Sequence, residues 1–276
     1  MIIDVGSQAI YAYSAGKSFD PALPTAVFLH GAQHDHSVWA LQSRYFGHHG
    51  FNVLAVDLPG HGRSAGPAAM SIGALAEWLA ALLDAVGAPD AFIVGHSMGS
   101  LIALDFAGRY PKRAARLALV ATAVPMAVSE VLLDAALHRE TEAIDFVNRW
   151  SHATIAAKPS CPGPGFWLHG ANQRLMERVA VLGEPHLLHT DFAACHAYAD
   201  GLLRAAQVRC PVRLILGAKD SMTPPRAARA LADALTAGGC DVNTVMLDAG
   251  HALMTEQPDA TLDTLFEFAR PLSPRA

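Results

Sequence analysis

Short apolar runs of strand length alternate with longer stretches of helical period from the start of the chain to Ala121, and this alternation leaves few folds open. Residues 8–13, 26–30, 52–57, 91–96 and 116–121 read as strands, most of them apolar without a break, which is the pattern of strands buried on both faces. Between them, residues 38–48, 71–86 and 97–109 carry helical spacing. The second of these is the clearest: Ser71 opens it, Ile72, Leu75, Leu79, Leu82 and Leu83 form one face, and Gly87 ends it. The pattern predicts an α/β fold with a mostly parallel central sheet flanked by helices on both faces.

The alternation stops after residue 123. From 124 to 207 the pattern is helical, broken by the loop Lys158-Pro-Ser-Cys-Pro-Gly-Pro-Gly165. Strands resume at 212–217 and 243–247, separated by a helix over 225–236, and a last helix covers 259–269. A helical block between two strands of one sheet reads as an insertion. Residues 1–123 and 208–276 then form the core, and 124–207 a helical cap. At 276 residues, with 52% apolar and 16% charged side chains, the chain can bury one large core and is not disordered. The net charge of −5, with no basic cluster, gives no reason to expect nucleic acid or an anionic membrane as partner. Met1-Ile-Ile-Asp-Val-Gly has no cationic segment before an apolar stretch, and the longest apolar run is broken by Pro125. No secretory signal or membrane span is expected, and a cytoplasmic location is.

The segment Ala91-Phe-Ile-Val-Gly-His-Ser-Met-Gly99 delivers Ser97 into a tight strand-to-helix turn between Gly95 and Gly99. A serine hydroxyl becomes a useful nucleophile only when it is held clear of its surroundings, beside a base and oxyanion donors. Asp220, in Leu216-Gly-Ala-Lys-Asp220, follows one later strand, and His251, in Asp248-Ala-Gly-His251, follows the last. All three lie beyond carboxyl ends of strands, where open α/β sheets place their sites, in the order Ser, Asp, His. Read singly, Asp220 is also a turn former and His251 a loop residue; the three together point to a nucleophile, its base and the acid that orients it. The oxyanion donors expected are the backbone N–H of Met98 and that of Ala32, with Gly31 permitting the turn after the 26–30 strand.

These segments resemble the α/β-hydrolase fold, in its capped serine branch of esterases, lactonases and C–C hydrolases. The likeness rests on Leu29-His-Gly31 with Trp39 downstream, Asp57-Leu-Pro-Gly-His-Gly-Arg-Ser64, Gly95-His-Ser-Met-Gly99, Leu216-Gly-Ala-Lys-Asp220 and Gly250-His251. It implies a structural role for the 57–64 loop, which has no Lys-Ser/Thr for phosphate binding. It departs at Ser100, where such proteins usually carry another glycine. Branches with a carboxylate nucleophile are set aside by Ser97, and Ala252 stands where C–C hydrolases often carry an aromatic.

The resemblance implies a cofactor-independent serine hydrolase that cleaves a small to medium, largely apolar carboxylic ester or lactone through an acyl-enzyme. Two other readings stay open: a C–C bond hydrolase of a ring-fission diketone, and a ligand-sensing, receptor-like protein with residual hydrolysis. Candidate substrate contacts are His96 beside the nucleophile, the block residues Trp150, Phe166 and Trp167, and Met222 and Met254, with Met126 as a further wall. His34 and His36 read most plainly as solvated loop positions. Cys161, Cys195, Cys210 and Cys240 lack metal-ligand or redox spacing and read as reduced thiols. His186, His189 and His196 read as polar helix positions, so no metal is expected. The sequence leaves the oligomeric state open, a homodimer included.

Overall fold

The computed structural model describes residues 1–154 and 167–272. Its strands are β1 (Ile2–Val5), β2 (Gln8–Tyr13), β3 (Thr25–Leu29), β4 (Asn52–Val56), β5 (Ala91–His96), β6 (Ala114–Val120), β7 (Val212–Gly217) and β8 (Val242–Leu247). The helices flanking these strands are α1 (Ala40–His48), α2 (Ile72–Ala85) and α3 (Met98–Arg109) before β6. Between β6 and β7 lie α4 (Glu130–His138), α5 (Glu140–Ser151), α6 (Leu168–Leu182), α7 (Leu187–His196) and α8 (Gly201–Ala205). The chain closes with α9 (Arg229–Ala237), α10 (Leu253–Glu256) and α11 (Pro258–Ala269). Among the described residues no helix is long and apolar enough to cross a membrane.

The eight strands form one sheet in the order β1-β2-β4-β3-β5-β6-β7-β8. β1 and β2 pair antiparallel, as do β2 and β4, and every pairing from β4 to β8 is parallel. Successive side chains of the central strands feed two separate apolar layers. In β3, Val27 and Leu29 face α2 and α3, while Ala26 and Phe28 face α1 and α11. This two-sided burial is why those strands read as unbroken apolar runs. β1, absent from the sequence reading, has four residues and an exposed–buried alternation too short to give a periodic signal. The expected helices at 38–48 and 225–236 both begin as 3₁₀ turns, over His36–Trp39 and Pro225–Ala228.

Helices α4 to α7 gather round an apolar cluster of their own that includes Leu132, Ile144, Val147, Met176, Leu188 and Phe192, with Ala32 and Met222 of the sheet-edge loops packed against it. The loop read at 158–165, together with Phe166 and Cys161, lies outside the described residues. Cys195, Cys210 and Cys240 are free thiols.

The backbone is tightly packed where β5 turns into α3. A Cβ on Gly95 would stand 2.1 Å from the carbonyl oxygen of Gly99, and one on Gly99 would stand 2.5 Å from that of Leu29. Both neighbours are backbone and cannot swing aside. Gly95→Ala is therefore expected to lower stability by about 3 kcal/mol or more, or to prevent folding. Urea denaturation checks this: a wild-type midpoint would mean that strand and helix can move apart.

Candidate active site

Ser97 sits between β5 and α3 with φ 52° and ψ −119°, a backbone conformation that a non-glycine residue adopts at a cost of about 1–3 kcal/mol. Its N–H donates to Val120 O (3.0 Å), and the Ser100 N–H donates to its carbonyl (2.8 Å). Ser100, the departure from the family pattern, adds a side-chain tie: its hydroxyl lies 2.5 Å from Ser97 O and 2.8 Å from the Thr122 hydroxyl. The strained turn is thus held by partners on both sides, and among the described residues Ser97 Oγ itself carries no hydrogen bond.

Asp220 leaves β7 and is almost fully enclosed. Its Oδ1 accepts the N–H of Met222 (2.8 Å) and of Thr223 (2.9 Å), and its Oδ2 accepts the Thr223 hydroxyl (2.7 Å). The same Oδ2 receives His251 Nδ1 at 2.8 Å. Burial opposes ionisation of this carboxyl, but the nearby His251 and the Thr223 donors outweigh it and hold its pKa well below the usual carboxylate range. The ionised Asp220 fixes the proton of His251 on Nδ1 and leaves Nε2 as the acceptor. Thr223, a residue that sequence reasoning missed, supplies two of the four donors to Asp220 and lies 3.1 Å from His251 Nδ1.

The loop after β3 closes the other side. A Cβ on Gly31 would stand 3.2 Å from Ser97 Cβ, so this loop runs directly past the nucleophile turn. His30 is buried between Gly31 O (2.8 Å), to which Nδ1 donates, and the N–H of Leu58 (3.0 Å), which Nε2 accepts. Burial and the neighbouring His61 push its pKa down to about 4, which fits the neutral tautomer those partners require. Among the described residues neither the Ala32 nor the Met98 N–H donates to a protein group. Gln33 then turns with φ 49°, and its N–H donates to Asp191 on α7 (2.8 Å).

Two compartments meet at Ser97. One, of about 30 Å³, is bounded by His34, His96, Ser151, Asn172, Met254 and Thr255 among others. The second, of about 270 Å³, is largely apolar, with Met126, Val128, Leu132, Trp150 and Cys195 in its wall. Ala32, Ser97, Phe192, Met222 and His251 belong to both. The structure therefore brings together Ser97, Asp220, His251, Ala32, Met98, His96, Trp150, Met222, Met254 and Met126. It does not bring in Trp167, which is 51% exposed with its ring stacked on His169 and borders neither compartment. His34 corrects the expectation of a solvated loop position: it is half-buried in the cavity wall, with Nδ1 2.7 Å from Ala32 O and Nε2 3.0 Å from Asn172 Oδ1. His36 is half-buried too, against Asp57 (2.6 Å). His96 donates from Nε2 to His251 O (2.9 Å), and burial, then the charge of His251, keeps it neutral.

Among the described residues, Asp35, His36 and Asp57 form the group whose ligand atoms approach closely enough for a metal. Their atoms are already engaged. Asp57 accepts from the backbone and ring of His36 and from the Arg63 N–H, and Asp35 accepts from Ser37 and Arg178. These bonds make the 57–64 segment a structural loop. His186, His189 and His196 form no such group.

A family model described as the alpha/beta hydrolase family matches residues 26–264. The pimeloyl-[acyl-carrier protein] methyl ester esterase of Chromobacterium violaceum is 30% identical over 77% of this chain and 82% of that protein. Its counterpart from Aromatoleum aromaticum is 32% identical over 86% of this chain and 94% of that protein. Among solved structures, the enol-lactonase from Burkholderia xenovorans superposes with a TM-score of 0.81 at 24% identity, covering 98% of this chain and 100% of that one. At that identity the likeness is one of fold.

One electrostatic tie in this region lends itself to a direct test. The buried His61 ring faces two acceptors, Pro59 O (3.0 Å) and Asp191 Oδ2 (2.9 Å), so only the imidazolium satisfies both. Burial alone would lower its pKa, but the Asp191 carboxylate overrides that and raises it. A raised histidine pKa contributes stability that is full below the unfolded value of about 6.5 and is lost as pH rises through the folded value. The unfolding temperature is expected to fall over that alkaline interval in wild type and to stay flatter in Asp191→Asn. Parallel profiles would show that the pair carries no linkage.

Proposed function

Given that the chain belongs to the alpha/beta hydrolase family and is an ester hydrolase, we propose that Ser97, His251 and Asp220 are its catalytic residues. The observation that carries this reading is the 2.8 Å contact between Asp220 Oδ2 and Nδ1 of His251, a ring that shares a cavity wall with Ser97. In the proposed cycle His251 Nε2 takes the proton of Ser97 Oγ as that oxygen adds to the substrate carbonyl. The carbonyl oxygen becomes an oxyanion beside the N–H groups of Ala32 and Met98. As the tetrahedral centre collapses, the C–O bond to the alcohol breaks and His251 hands its proton to the departing oxygen. A water then repeats the sequence on the acyl-enzyme, and the acid leaves with Ser97 restored.

The substrate class is a small to medium, largely apolar carboxylic ester or lactone. The compartment of about 30 Å³ is small beside its neighbour and suits the shorter arm of an ester. The apolar compartment of about 270 Å³ accommodates a medium hydrocarbon arm. An unsymmetrical ester fits this pair, with its acyl chain in the large space and a one- or two-carbon alcohol in the small one. The methyl ester esterases among the relatives are named for substrates with so short an alcohol arm. Residues 124–207 are proposed as the cap that closes the large compartment over Ser97, with Met126, Leu132 and Phe192 as its contribution to the wall.

Ser97→Ala is expected to reduce turnover on the order of 10⁶-fold while leaving the fold intact. Wild-type hydrolysis by Ser97→Ala would overturn the mechanism. Specificity has its own test: kcat/KM for methyl, ethyl and butyl esters of one medium-chain acid. A fall of roughly tenfold or more is expected between ethyl and butyl, whereas equal rates would mean that the small compartment does not hold the alcohol.

A further inference from the structure

The loop that carries His251 is gripped from two sides by groups with no assigned part in the reaction. α5 ends at Ser151, and the last carbonyls of a helix have no helical N–H to receive. Here Ser151 O accepts the N–H of His251 (2.7 Å) and of Ala252 (3.0 Å). One residue earlier, Trp150 O accepts the hydroxyl of Ser221, the neighbour of Asp220 (2.8 Å). On the far side the buried carboxylate of Glu256 bridges two segments of chain. Its Oε1 accepts the Gly250 N–H (2.9 Å) and its Oε2 the Ala153 N–H (2.8 Å). The segments are pressed together: a Cβ on Gly250 would stand 2.6 Å from Ala153 N and 2.8 Å from Ser151 O.

We propose that Glu256 is a positioning residue for the reaction, a bridging carboxylate that fixes the His251 backbone to the end of α5 and so holds the imidazole between Asp220 and Ser97. The inference rests on the reading of His251 as the base. Only an ionised carboxylate suits the position. Two N–H groups from different segments point at two oxygens; an amide would meet one of them with its own NH₂, and an apolar side chain would leave both unsatisfied in a buried site. The arrangement is costly in itself, since burial and the charge of Asp220 both oppose ionisation of Glu256, and only the Gly250, Ala153 and Ala252 N–H groups favour it. The base is thereby tied to the helical block that roofs the site, rather than to the sheet alone.

The test compares full-length wild type, Glu256→Gln and Glu256→Asp on one methyl ester. Active sites are counted with a p-nitrophenyl phosphonate that labels the serine, so that rates are expressed per folded site. Displacing a catalytic group by about 1 Å costs on the order of 10²-fold. Glu256→Gln is expected to lower kcat per titrated site by roughly tenfold to a hundredfold, with KM within about twofold, and Glu256→Asp to fall between it and wild type. If kcat per titrated site stays at the wild-type value while fewer sites titrate, Glu256 only stabilises the fold and the proposal is overturned. Equal loss in Glu256→Asp and Glu256→Gln, with KM rising in step, overturns it too. Wild-type activity in Ser97→Ala would instead remove the base reading itself, whatever Glu256 does.

Discussion

The β5–α3 turn, where backbone presses directly on backbone, sets the terms for the residues around it. With hydrogen atoms at positions 95 and 99, the helix can start within one residue of the strand end and still pass under the loop that leaves β3. That geometry forces Ser97 into a strained φ of 52°, which lifts its side chain out of the sheet and away from local hydrogen bonds. The strain persists because the turn is over-determined by Val120 O, the Ser100 N–H and the Ser100 hydroxyl. A serine at position 100 instead of another glycine is thus compatible with the fold, since its hydroxyl finds a partner in Thr122 and its Cβ needs no forbidden space.

The helical block is wired to the core through ionisable groups as well as apolar contact. Asp191 on α7 binds His61 and the Gln33 N–H, which fixes the turn that follows Ala32. Asn172 on α6 meets His34, whose other nitrogen faces the Ala32 carbonyl. The end of α5 meets the loops of Asp220 and His251. Each part of the proposed machinery other than the nucleophile turn therefore has a partner from the block. The block and the loop after β3 are thus joined by hydrogen bonds as well as by apolar packing.

The sequence disclosed those features that repeat or that rest on one residue type at one fixed offset. The buried strands 91–96 and 212–217 were legible because both their faces are apolar, and Ser97, Asp220 and His251 because each follows a strand end. The partners that make these residues work were not. Thr223, Asp191, Asn172 and Glu256 are ordinary polar residues whose roles come from chain segments as far as 158 residues apart in sequence, as with Gln33 and Asp191. The aromatic residues of the block misled for a related reason: hydrophobicity marks Trp150 and Trp167 alike, but only the fold decides that the first borders the cavity and the second stacks on His169. His34 misled in the opposite sense, since loop membership says nothing of which side of the loop faces inward.

Charge placement explains why so many histidines can surround one reactive pair without competing with it. His30 and His96 hydrogen-bond to backbone groups, and burial, aided by the neighbouring His61 and His251 respectively, keeps them uncharged. His61 and His251 each face a carboxylate, Asp191 and Asp220 respectively, yet their surroundings differ in what remains free. Both nitrogens of His61 are occupied by acceptors, so that ring can hold a proton but cannot exchange it with a ligand. Among the described residues His251 is bound through Nδ1 and not through Nε2, and its ring borders both compartments. His36 also bonds a carboxylate, that of Asp57, but borders neither compartment; the ring at Ser97 that combines a neighbouring carboxylate with an open nitrogen is His251, which is what its proposed role requires.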